Sequence, residues 1–455
     1  MSASRRTFLS WSALSAATLV ADNALAKGKK SKSTSKVRKA DAKKGKMNPR
    51  LRARLERQNQ NVPKFQPPDK PLEFEPWKYG QNSYADDTVL MFRGNPTHTF
   101  YGTGPLADKL RVHWKHRMID FHTELRGKKK VWAGTGWTGT AAKLGDYVFV
   151  GSVGRNFYVF EAKTGKVAWR YRGNRMFKSS VCVYDNKLYI GNVDDRLRCF
   201  DASTGEVVWT LNTGRDLDSS PCVVDGRLYI AGENGYARCV DPQTGKEIWK
   251  SFLGGIGKGT PGGSNGAETS PAIADGEFYA ATYDGELHCL DIKDGKHKWK
   301  AMTHGDTDAS AVVSGEFVYA AAEEDAPHLY CFSREDGREI WRYSGNKRGY
   351  WSTPAVVGDR IWVGGADTRM HCVDAKTGES VWTFKTGAAI WSSPCVVDGK
   401  VVFGGIDNKL YMLDAASGKE IWSMRTSGRV LSSPCIVDGH IWVGTGTGWF
   451  YCFGP

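Results

Sequence analysis

Residues 219–249 read SSPCVVDGRLYIAGENGYARCVDPQTGKEIW, and this stretch decides the fold. Asp225-Gly226 and Asn234-Gly235 are two-residue hairpin signals, and Thr244-Gly245 supplies a third turn before the closing tryptophan. These turns separate four short runs that are rich in β-branched and aromatic residues, which favour strands. The stretch therefore predicts one four-stranded antiparallel sheet.

The same unit recurs along the chain and ends each time in a tryptophan. Successive terminal tryptophans are 40, 40, 50, 42, 41 and 40 residues apart. A fixed period of this length is typical of repeat architectures in which each repeat forms one blade of a propeller. The complete units end at Trp169, Trp209, Trp249, Trp299, Trp341, Trp382 and Trp422.

One further unit is divided between the two ends of the repeat region. After Trp422 the chain has three more predicted strands, within residues 432–453, and lacks a fourth. Residues 110–114 (LRVHW) have the pattern of the missing outer strand. We therefore predict an all-β fold over residues 77–455, an eight-bladed β-propeller of four-stranded antiparallel blades whose last blade is closed by the N-terminal strand near Trp114.

The N-terminus has the pattern of an export signal. Residues 4–9 read SRRTFL, which resembles a twin-arginine motif, and a short apolar stretch leads to Ala24-Leu25-Ala26, an A-x-A cleavage site. We predict that residues 1–26 are a twin-arginine-type signal peptide and that the protein reaches the periplasm or the extracellular space. The alternative is a disordered cytosolic N-terminus that contains a chance pair of arginines.

The positive charge is concentrated in one segment. Of the net charge of +14, residues 27–57 carry +12, and residues 58–455 carry +1. Residues 27–76 are predicted to be a basic disordered segment followed by a Pro-rich linker, because this composition offers little apolar surface to bury. The basic tail, residues 27–57, is expected to bind anionic envelope polymers or lipid headgroups. A specific nucleic-acid surface and a transmembrane segment are not predicted.

Residues 199–209 read CFDASTGEVVW, which resembles the tryptophan-docking motif of propellers with pyrroloquinoline-quinone (PQQ) repeats. In that family each tryptophan packs between neighbouring blades, so the resemblance implies a structural docking role for the seven terminal tryptophans. Residues 92–96 (FRGNP) also resemble the opening segment of bacterial members. The resemblance covers roughly residues 90–455, and the motif recurs at residues 239–249, 289–299, 331–341, 372–382 and 412–422.

The resemblance implies one of two kinds of protein. Quinoprotein dehydrogenases hold PQQ and calcium in the central channel, stack the quinone on a disulfide between adjacent cysteines and use an Asn/Glu/Asp calcium site. Binding scaffolds, including the outer-membrane assembly lipoprotein BamB, lack this machinery. No two of the ten cysteines here are adjacent, and the haem motif C-x-x-C-H is missing.

We therefore favour a non-catalytic, monomeric scaffold of the cell envelope that binds a protein or polysaccharide through its loop face, with no cofactor and no catalytic residue. The alternative is a divergent PQQ-dependent oxidoreductase, with bound calcium, that acts on alcohols or sugars.

The ten cysteines fall into two recurring small apolar positions of the repeat, and several blades fill these positions without sulfur. Cysteines of one blade would lie on its first and third strands, about 9–10 Å apart, which is beyond disulfide reach. Free, buried thiols are predicted. The cysteines are Cys182, Cys222, Cys395 and Cys435 in one position and Cys199, Cys239, Cys289, Cys331, Cys372 and Cys452 in the other.

A candidate ligand site lies where the loops before the innermost strands converge on the propeller axis. Alignment of the blades on the Asp-Gly turn gives one position in each blade, occupied by Thr138, Lys178, Asp218, Glu268, Thr307, Trp351, Trp391 and Leu431. An aromatic wall with a few convergent polar groups is typical of a binding pocket. The predicted channel-mouth residues are Lys178, Asp218, Glu268, Asp308, Tyr350, Trp351, Trp391, Arg175, Arg215 and Arg348.

Two other interpretations of these residues remain open. Their side chains could plug the tunnel and cap strand ends through ion pairs. Asp218, Glu268 and Asp308 are also a weak candidate calcium site, because hard cations bind clustered carboxylate oxygens. The insertion at residues 254–267 is predicted to be a flexible lid over the mouth.

Overall fold

The computed structural model describes residues 64–74, 88–125, 128–135, 139–254, 266–323 and 325–455. Within these ranges the chain folds into eight antiparallel blades of four strands, one of which gains a fifth strand, and a separate two-stranded sheet of residues 121–125 and 128–132. The innermost strand of each sheet contacts that of the next, and the last contacts the first, so the sheets form a closed ring. The predicted eight-bladed propeller is confirmed. The described part of the chain contains no helix with the length and apolarity needed to cross a bilayer.

The strands follow the repeat. Before the first blade come β1 (Phe65–Gln66), β2 (Arg111–Arg117), β3 (Phe121–Leu125) and β4 (Lys128–Trp132). Blade 1 contains β5 (Ala142–Leu144), β6 (Tyr147–Gly151), β7 (Asn156–Glu161) and β8 (Val167–Arg172). Blade 2 contains β9 (Cys182–Tyr184), β10 (Lys187–Asn192), β11 (Arg196–Asp201) and β12 (Val207–Asn212). Blade 3 contains β13 (Cys222–Val224), β14 (Arg227–Ile230), β15 (Tyr236–Val240) and β16 (Glu247–Phe252).

The remaining blades have the same order from the axis outwards. Blade 4 contains β17 (Ala272–Ala274), β18 (Glu277–Ala281), β19 (Glu286–Asp291) and β20 (His297–Met302). Blade 5 contains β21 (Val312–Ser314), β22 (Phe317–Ala321), β23 (Leu329–Ser333) and β24 (Glu339–Tyr343). Blade 6 contains β25 (Ala355–Val357), β26 (Arg360–Gly364), β27 (Arg369–Asp374) and β28 (Ser380–Lys385). Blade 7 contains β29 (Cys395–Val397), β30 (Lys400–Gly404), β31 (Lys409–Asp414) and β32 (Glu420–Arg425).

Blade 8 is assembled from both ends of the repeat region. It contains β33 (Cys435–Val437), β34 (His440–Gly444) and β35 (Trp449–Gly454), and β2 is its outer strand. β2 runs antiparallel to β35, with Val112 opposite Phe453 and Arg117 opposite Trp449. The N-terminal strand near Trp114 therefore closes the last blade, as predicted, and this pairing is the seam of the ring.

Neighbouring blades are joined at the repeat tryptophans. The indole nitrogen of Trp169 donates a hydrogen bond to the carbonyl of Ala202 in the next blade, at 3.1 Å, and Trp209 bonds to Pro242 in the same way, at 2.9 Å. The ring of Trp169 also packs against Gly205, where an added Cβ would lie 2.7 Å from the indole. Gly205 has a φ of +76°, so the turn requires glycine for its conformation as well as for space.

A ring of hydroxyl groups surrounds the axis. In seven of the eight blades the backbone N–H of one Ser or Thr donates to the side-chain oxygen of its counterpart in the next blade, for example from Ser180 to Ser220 at 2.9 Å. A parallel bridge between Thr140 and Ser433 completes the circuit. The members are Thr140, Ser180, Ser220, Ser270, Ser310, Thr353, Ser393 and Ser433.

The segment 88–103, called the plug below, contacts the innermost region of every blade. Leu90 accepts a hydrogen bond from the backbone of Val183 in blade 2, and Thr97 accepts one from Val313 in blade 5. On the far side Thr103 donates to the carbonyl of Ile436 in blade 8. These contacts lie beyond the hydroxyl ring, towards the first hairpin turn of each blade. The chain therefore fills one end of its own channel.

Residues 64–74, called the strap below, lie on the outside of blades 1 and 2. This segment is part of the predicted linker, and it contributes β1 as a fifth strand to blade 1. Leu72 is buried and its N–H bonds to the carbonyl of Ser203 in blade 2, while Phe74 contacts the rings of Tyr147 and Phe149. The signal peptide and the basic tail were assigned to residues 1–57, which lie outside the described residues.

All ten cysteines are buried and unpaired, as predicted. Burial raises the pKa of Cys182 to about 12 and has the same effect on Cys199. Thiols with raised pKa values contain little of the reactive thiolate at neutral pH. The cysteines therefore act as small apolar residues of the core.

Arg93 anchors the plug. Its guanidinium is buried, donates to the carbonyls of Pro394 at 2.6 Å and Pro354 at 3.1 Å, and lies over the ring of Tyr101. We expect Arg93→Ala to lower the free energy of unfolding by about 2–4 kcal/mol, because two buried carbonyls lose their donors. Urea titration followed by tryptophan fluorescence measures this change.

A matched control is Arg338→Ala, because the Arg338 side chain is 69% exposed and 3.8 Å from Asp336. This variant should change the free energy of unfolding by less than about 0.5 kcal/mol. Equal urea midpoints for the Arg93 and Arg338 variants would contradict the anchoring role.

Candidate functional site

The hydroxyl ring shows which mouth residues occupy equivalent positions in the different blades. The residue two positions before each hydroxyl lies at the same level of its blade, and these residues include Lys178, Asp218, Glu268, Asp308, Trp351, Trp391 and Leu431. In blade 5 this position belongs to Asp308 and not to Thr307, because β21 ends at Ser314 and its turn begins one residue later. Thr138 and most of the predicted lid lie outside the described residues.

Lys178 and Asp218 form a buried ion pair between blades 2 and 3. The side chain of Asp218 is fully buried and that of Lys178 is 14% exposed. Burial alone would lower the pKa of Lys178, but the carboxylates of Asp218, Glu268 and Glu233 outweigh it and raise the pKa. Lys178 is therefore charged at neutral pH and neutralises part of the surrounding negative charge.

Six carboxyl groups lie around the mouth in two sets of three. Oxygen atoms of Asp218, Glu233 and Glu268 lie within 4.8 Å of one another, and so do those of Asp306, Asp308 and Glu323. We call the first set the Asp218 triad and the second set the Asp308 triad. The structure thus places Asp308 with other partners than the predicted calcium set Asp218, Glu268 and Asp308.

Sequence reasoning missed Glu233, Asp306 and Glu323. Glu233 and Glu323 follow the second strands of blades 3 and 5, and these loops emerge on the same face as the loops before the innermost strands. A repeat alignment that compared both loop positions would have found them. Asp306 could have been noticed from its i, i+2 spacing to Asp308.

The Asp308 triad lacks a cation in contact with it among the described residues. Burial raises the pKa of Asp308 to about 8, and burial together with the charge of Asp308 raises that of Asp306 to about 9. Burial and the same two aspartates also raise the pKa of Glu323. The Oδ1 atoms of Asp306 and Asp308 have no hydrogen-bond partner. The three groups must therefore share protons or a cation at neutral pH.

The aromatic part of the mouth is built by blades 6 and 7. The half-buried rings of Trp351 and Trp391 lie 5.4 Å apart between centroids, at an angle of 47°. Tyr350, which was predicted to join them, is fully buried and contacts His371, so its side chain is not exposed at the mouth. Two half-buried indoles of adjacent blades therefore form the apolar wall of the mouth.

The three predicted arginines lie at the rim. Arg175 is 63% exposed and 3.8 Å from Asp216, while Arg348 is exposed and Arg215 is half-buried. Salt bridges with this exposure add little to stability. Arg175 and Arg348 therefore expose positive charge to solvent at the edge of the mouth, outside the buried carboxylates.

The donor groups fit a hard cation better than a quinone cofactor. Carboxylate oxygens in sets of three are suited to calcium. PQQ carries three carboxylates of its own, and Lys178, the buried cation that lies beside these carboxyl groups in the described part of the chain, is already paired with Asp218. The carboxyl groups repel an anionic ligand wherever they are ionised, and an anion beside them would raise their pKa values further. The described mouth thus fits calcium and does not fit PQQ.

Comparisons with known proteins identify relatives of the chain. A family model described as outer membrane protein assembly factor BamB matches residues 111–343 and 344–448. A curated protein of that name from Burkholderia pseudomallei is 41% identical over 54 residues, which is 12% of this chain and only 14% of that protein.

Solved structures share the fold at low identity. A europium-containing methanol dehydrogenase superposes with a TM-score of 0.68 at 13% identity, over 82% of this chain and 99% of that one. The crystal structure of BamB from Moraxella catarrhalis superposes with a TM-score of 0.53 at 16% identity, over 76% of this chain and 100% of that one. At such identities the similarity concerns the fold alone.

The carboxyl groups predict a pH dependence of stability. The unfolded chain releases the Asp308 proton near pH 4, whereas the folded chain retains it until about pH 8. The folded state therefore binds more protons in this window, so the free energy of unfolding should fall as the pH rises from 4 to 8. Urea titrations with a chelator present should give a shallower slope for Asp308→Asn.

The control is Glu335→Gln, which changes an exposed carboxyl group of blade 5. It should retain the slope of the unmodified protein. A slope that is the same in all three proteins would show that Asp308 titrates normally.

Proposed function

This chain belongs to the family of the outer membrane protein assembly factor BamB, and on that basis we propose that it is a non-catalytic binding scaffold of the cell envelope. The proposal assigns the binding surface to the loop face around the channel mouth. Its partner is an envelope protein or polysaccharide. Membership of the family supports the scaffold role. The side chains at the channel mouth support the assignment of the binding surface to the loop face.

The single observation that carries this proposal is that residues 88–103 fill one end of the channel. The plug closes one end through contacts with every blade, from the bridge between Val89 and Lys143 to the bond from Thr103 to Ile436. Among the described residues the loop face is therefore the side from which a ligand would approach the axis. That face combines the indoles of Trp351 and Trp391 with buried carboxyl groups, a combination suited to recognition.

The proposal includes export and a second, weaker contact. Residues 1–26 would direct the chain out of the cytoplasm by the twin-arginine route, and the basic tail would hold it near anionic polymers or headgroups. The tail contact depends on charge alone, so salt should weaken it. The mouth contact would provide specificity.

Site-specific photo-crosslinking in cells of the source organism tests the loop face. We expect a photoreactive residue in place of Trp351 to give one discrete adduct, and Trp391→Ala in the same protein to reduce its yield at least fivefold, because the adjacent indole is lost from the wall. Removal of residues 27–57 should lower the yield only at low salt.

A photoreactive residue in place of Ile340 is the control, because Ile340 is exposed on the outer strand of blade 5 and away from the mouth. It should give no such adduct. The same adduct from Ile340, or a yield that does not respond to Trp391→Ala, would argue against partner binding at the mouth.

A second candidate function, that of a quinoprotein oxidoreductase of alcohols or sugars, is favoured by the carboxyl groups alone. The Asp308 triad would hold calcium, which would act there as a Lewis acid towards a bound cofactor. Asp306 and Asp308 have unpartnered oxygens available for this purpose. The poor fit of PQQ ranks this function below the scaffold.

Reconstitution separates the two functions. After incubation with PQQ and calcium and removal of the excess, we expect no stoichiometric quinone absorbance and no dye-linked oxidation of alcohols or sugars. Calcium alone should still bind in calorimetry, and Asp308→Asn should weaken that binding at least tenfold because one ligand is lost. Bound quinone with turnover would overturn the scaffold proposal.

A further inference from the structure

The outer strand of blade 2 differs from the outer strands of the other blades. The fourth strand from the axis carries at least one charged residue in every other blade, whereas β12 reads VVWTLN and carries none. Val207 and Val208 are 41% and 47% exposed. Charged side chains on an edge strand prevent pairing with other chains, so β12 lacks this protection.

The neighbouring blade shows what such an edge can bind. β1 of the strap pairs antiparallel with β8, with Phe65 opposite Tyr171, and the N–H of Arg172 donates to the carbonyl of Lys64 at 2.7 Å. Phe65 also lies beside Gly205, next to Trp169, which is fully buried. An extended segment therefore adds a fifth strand and covers the blade's tryptophan with an aromatic ring.

Blade 2 repeats this binding surface one period later. On the outer strand, Leu211 and Trp209 correspond to Tyr171 and Trp169 of blade 1. The turn glycine of the following blade that packs on the tryptophan is Gly245 here and Gly205 there. Trp209 is only partly buried, whereas Trp169 is fully buried. By the same equivalence the backbone N–H groups of Thr210 and Asn212 face away from β11. β12 thus offers both a hydrogen-bonding edge and a place for an aromatic side chain.

We propose that β12 binds an extended segment of a partner protein by strand addition. The segment would run antiparallel to β12, place an aromatic residue opposite Leu211 and beside Trp209, and carry uncharged residues next to Val208. Backbone hydrogen bonds provide the affinity in this mode of recognition, and the side-chain positions provide the specificity. This surface lies on the outer edge of the propeller and is separate from the channel mouth.

The strap occupies a continuous part of the same surface. Its Leu72 N–H bonds to Ser203, in the turn that leads directly into β12. A partner strand on blade 2 would therefore lie beside the strap and extend a surface that the chain already uses. This continuity favours a partner segment similar in pattern to the strap, KFQPPDKPLEF at residues 64–74.

Hydrogen exchange on the full chain tests the proposal, with a peptide of the strap sequence as the probe. The peptide should slow exchange of the Thr210 and Asn212 amides. Val208→Lys should weaken peptide binding by on the order of tenfold, because it places a charge on the edge, and Thr210→Pro should abolish the protection because it removes a donor.

Blade 6 provides matched controls. Val381 and Thr383 flank Trp382 as Val208 and Thr210 flank Trp209, and Val381 is 42% exposed. Val381→Lys and Thr383→Pro should therefore leave the protection of β12 unchanged. Unfolding midpoints within 3 °C of the unmodified protein would show that the variants fold.

Four outcomes would overturn the proposal. The peptide could fail to protect β12, or could protect β8 by displacing the strap. The amides of β12 could already be protected in the monomer without peptide, which would identify a segment of this chain as the occupant. Sedimentation could show a dimer that Val208→Lys dissociates, which would identify a second copy. None of these outcomes affects crosslinking at Trp351, so the scaffold proposal stands or falls separately.

Discussion

The rest of the structure depends on the closure of the ring at the axis. Eight innermost strands meet there, and their buried backbone N–H groups need acceptors. The Ser and Thr hydroxyls supply these acceptors from one blade to the next, as between Ser220 and Ser270 at 3.0 Å, and the bridge between Thr140 and Ser433 completes the circle. A buried donor without a partner costs about 1–3 kcal/mol, so a repeated small hydroxyl residue is a strong requirement of this fold.

Ring closure also determines what lies along the axis. Eight blades leave a channel, and the chain fills one end of it with the plug, whose Arg93 carries a buried charge between the carbonyls of Pro354 and Pro394. The other end is open to the loops. In the part of the chain that the structure describes, variable side chains therefore meet around the axis at the mouth, where the two sets of carboxyl groups lie.

The fold could be predicted from local signals, and the site could be predicted only in part. The turn glycines and the repeat tryptophans are local and periodic, so they identify the blades, and the strand near Trp114 identifies the seam. Thr307 was assigned to the aligned position that Asp308 occupies, because the turn at Gly315 comes one residue later than the alignment assumed. Glu233 and Glu323 join the mouth through contacts between loops of different blades, which periodicity does not reveal. The strap has no strand pattern, because prolines interrupt it, and only packing against blades 1 and 2 orders it.

The carboxyl groups of the mouth are not required by the fold. Blades 6, 7 and 8 place Trp351, Trp391 and Leu431 at the position where blades 3, 4 and 5 place acids, and in all six blades the ring hydroxyl accepts a backbone N–H from the preceding blade. Burying a carboxyl group without a partner opposes folding. An apolar residue in place of Asp308 would therefore give a more stable propeller, whereas one in place of Asp218 would leave Lys178 without its partner. The proposed binding of a ligand or partner at the charged half of the mouth gives a physical reason for keeping the acids there at a cost in stability.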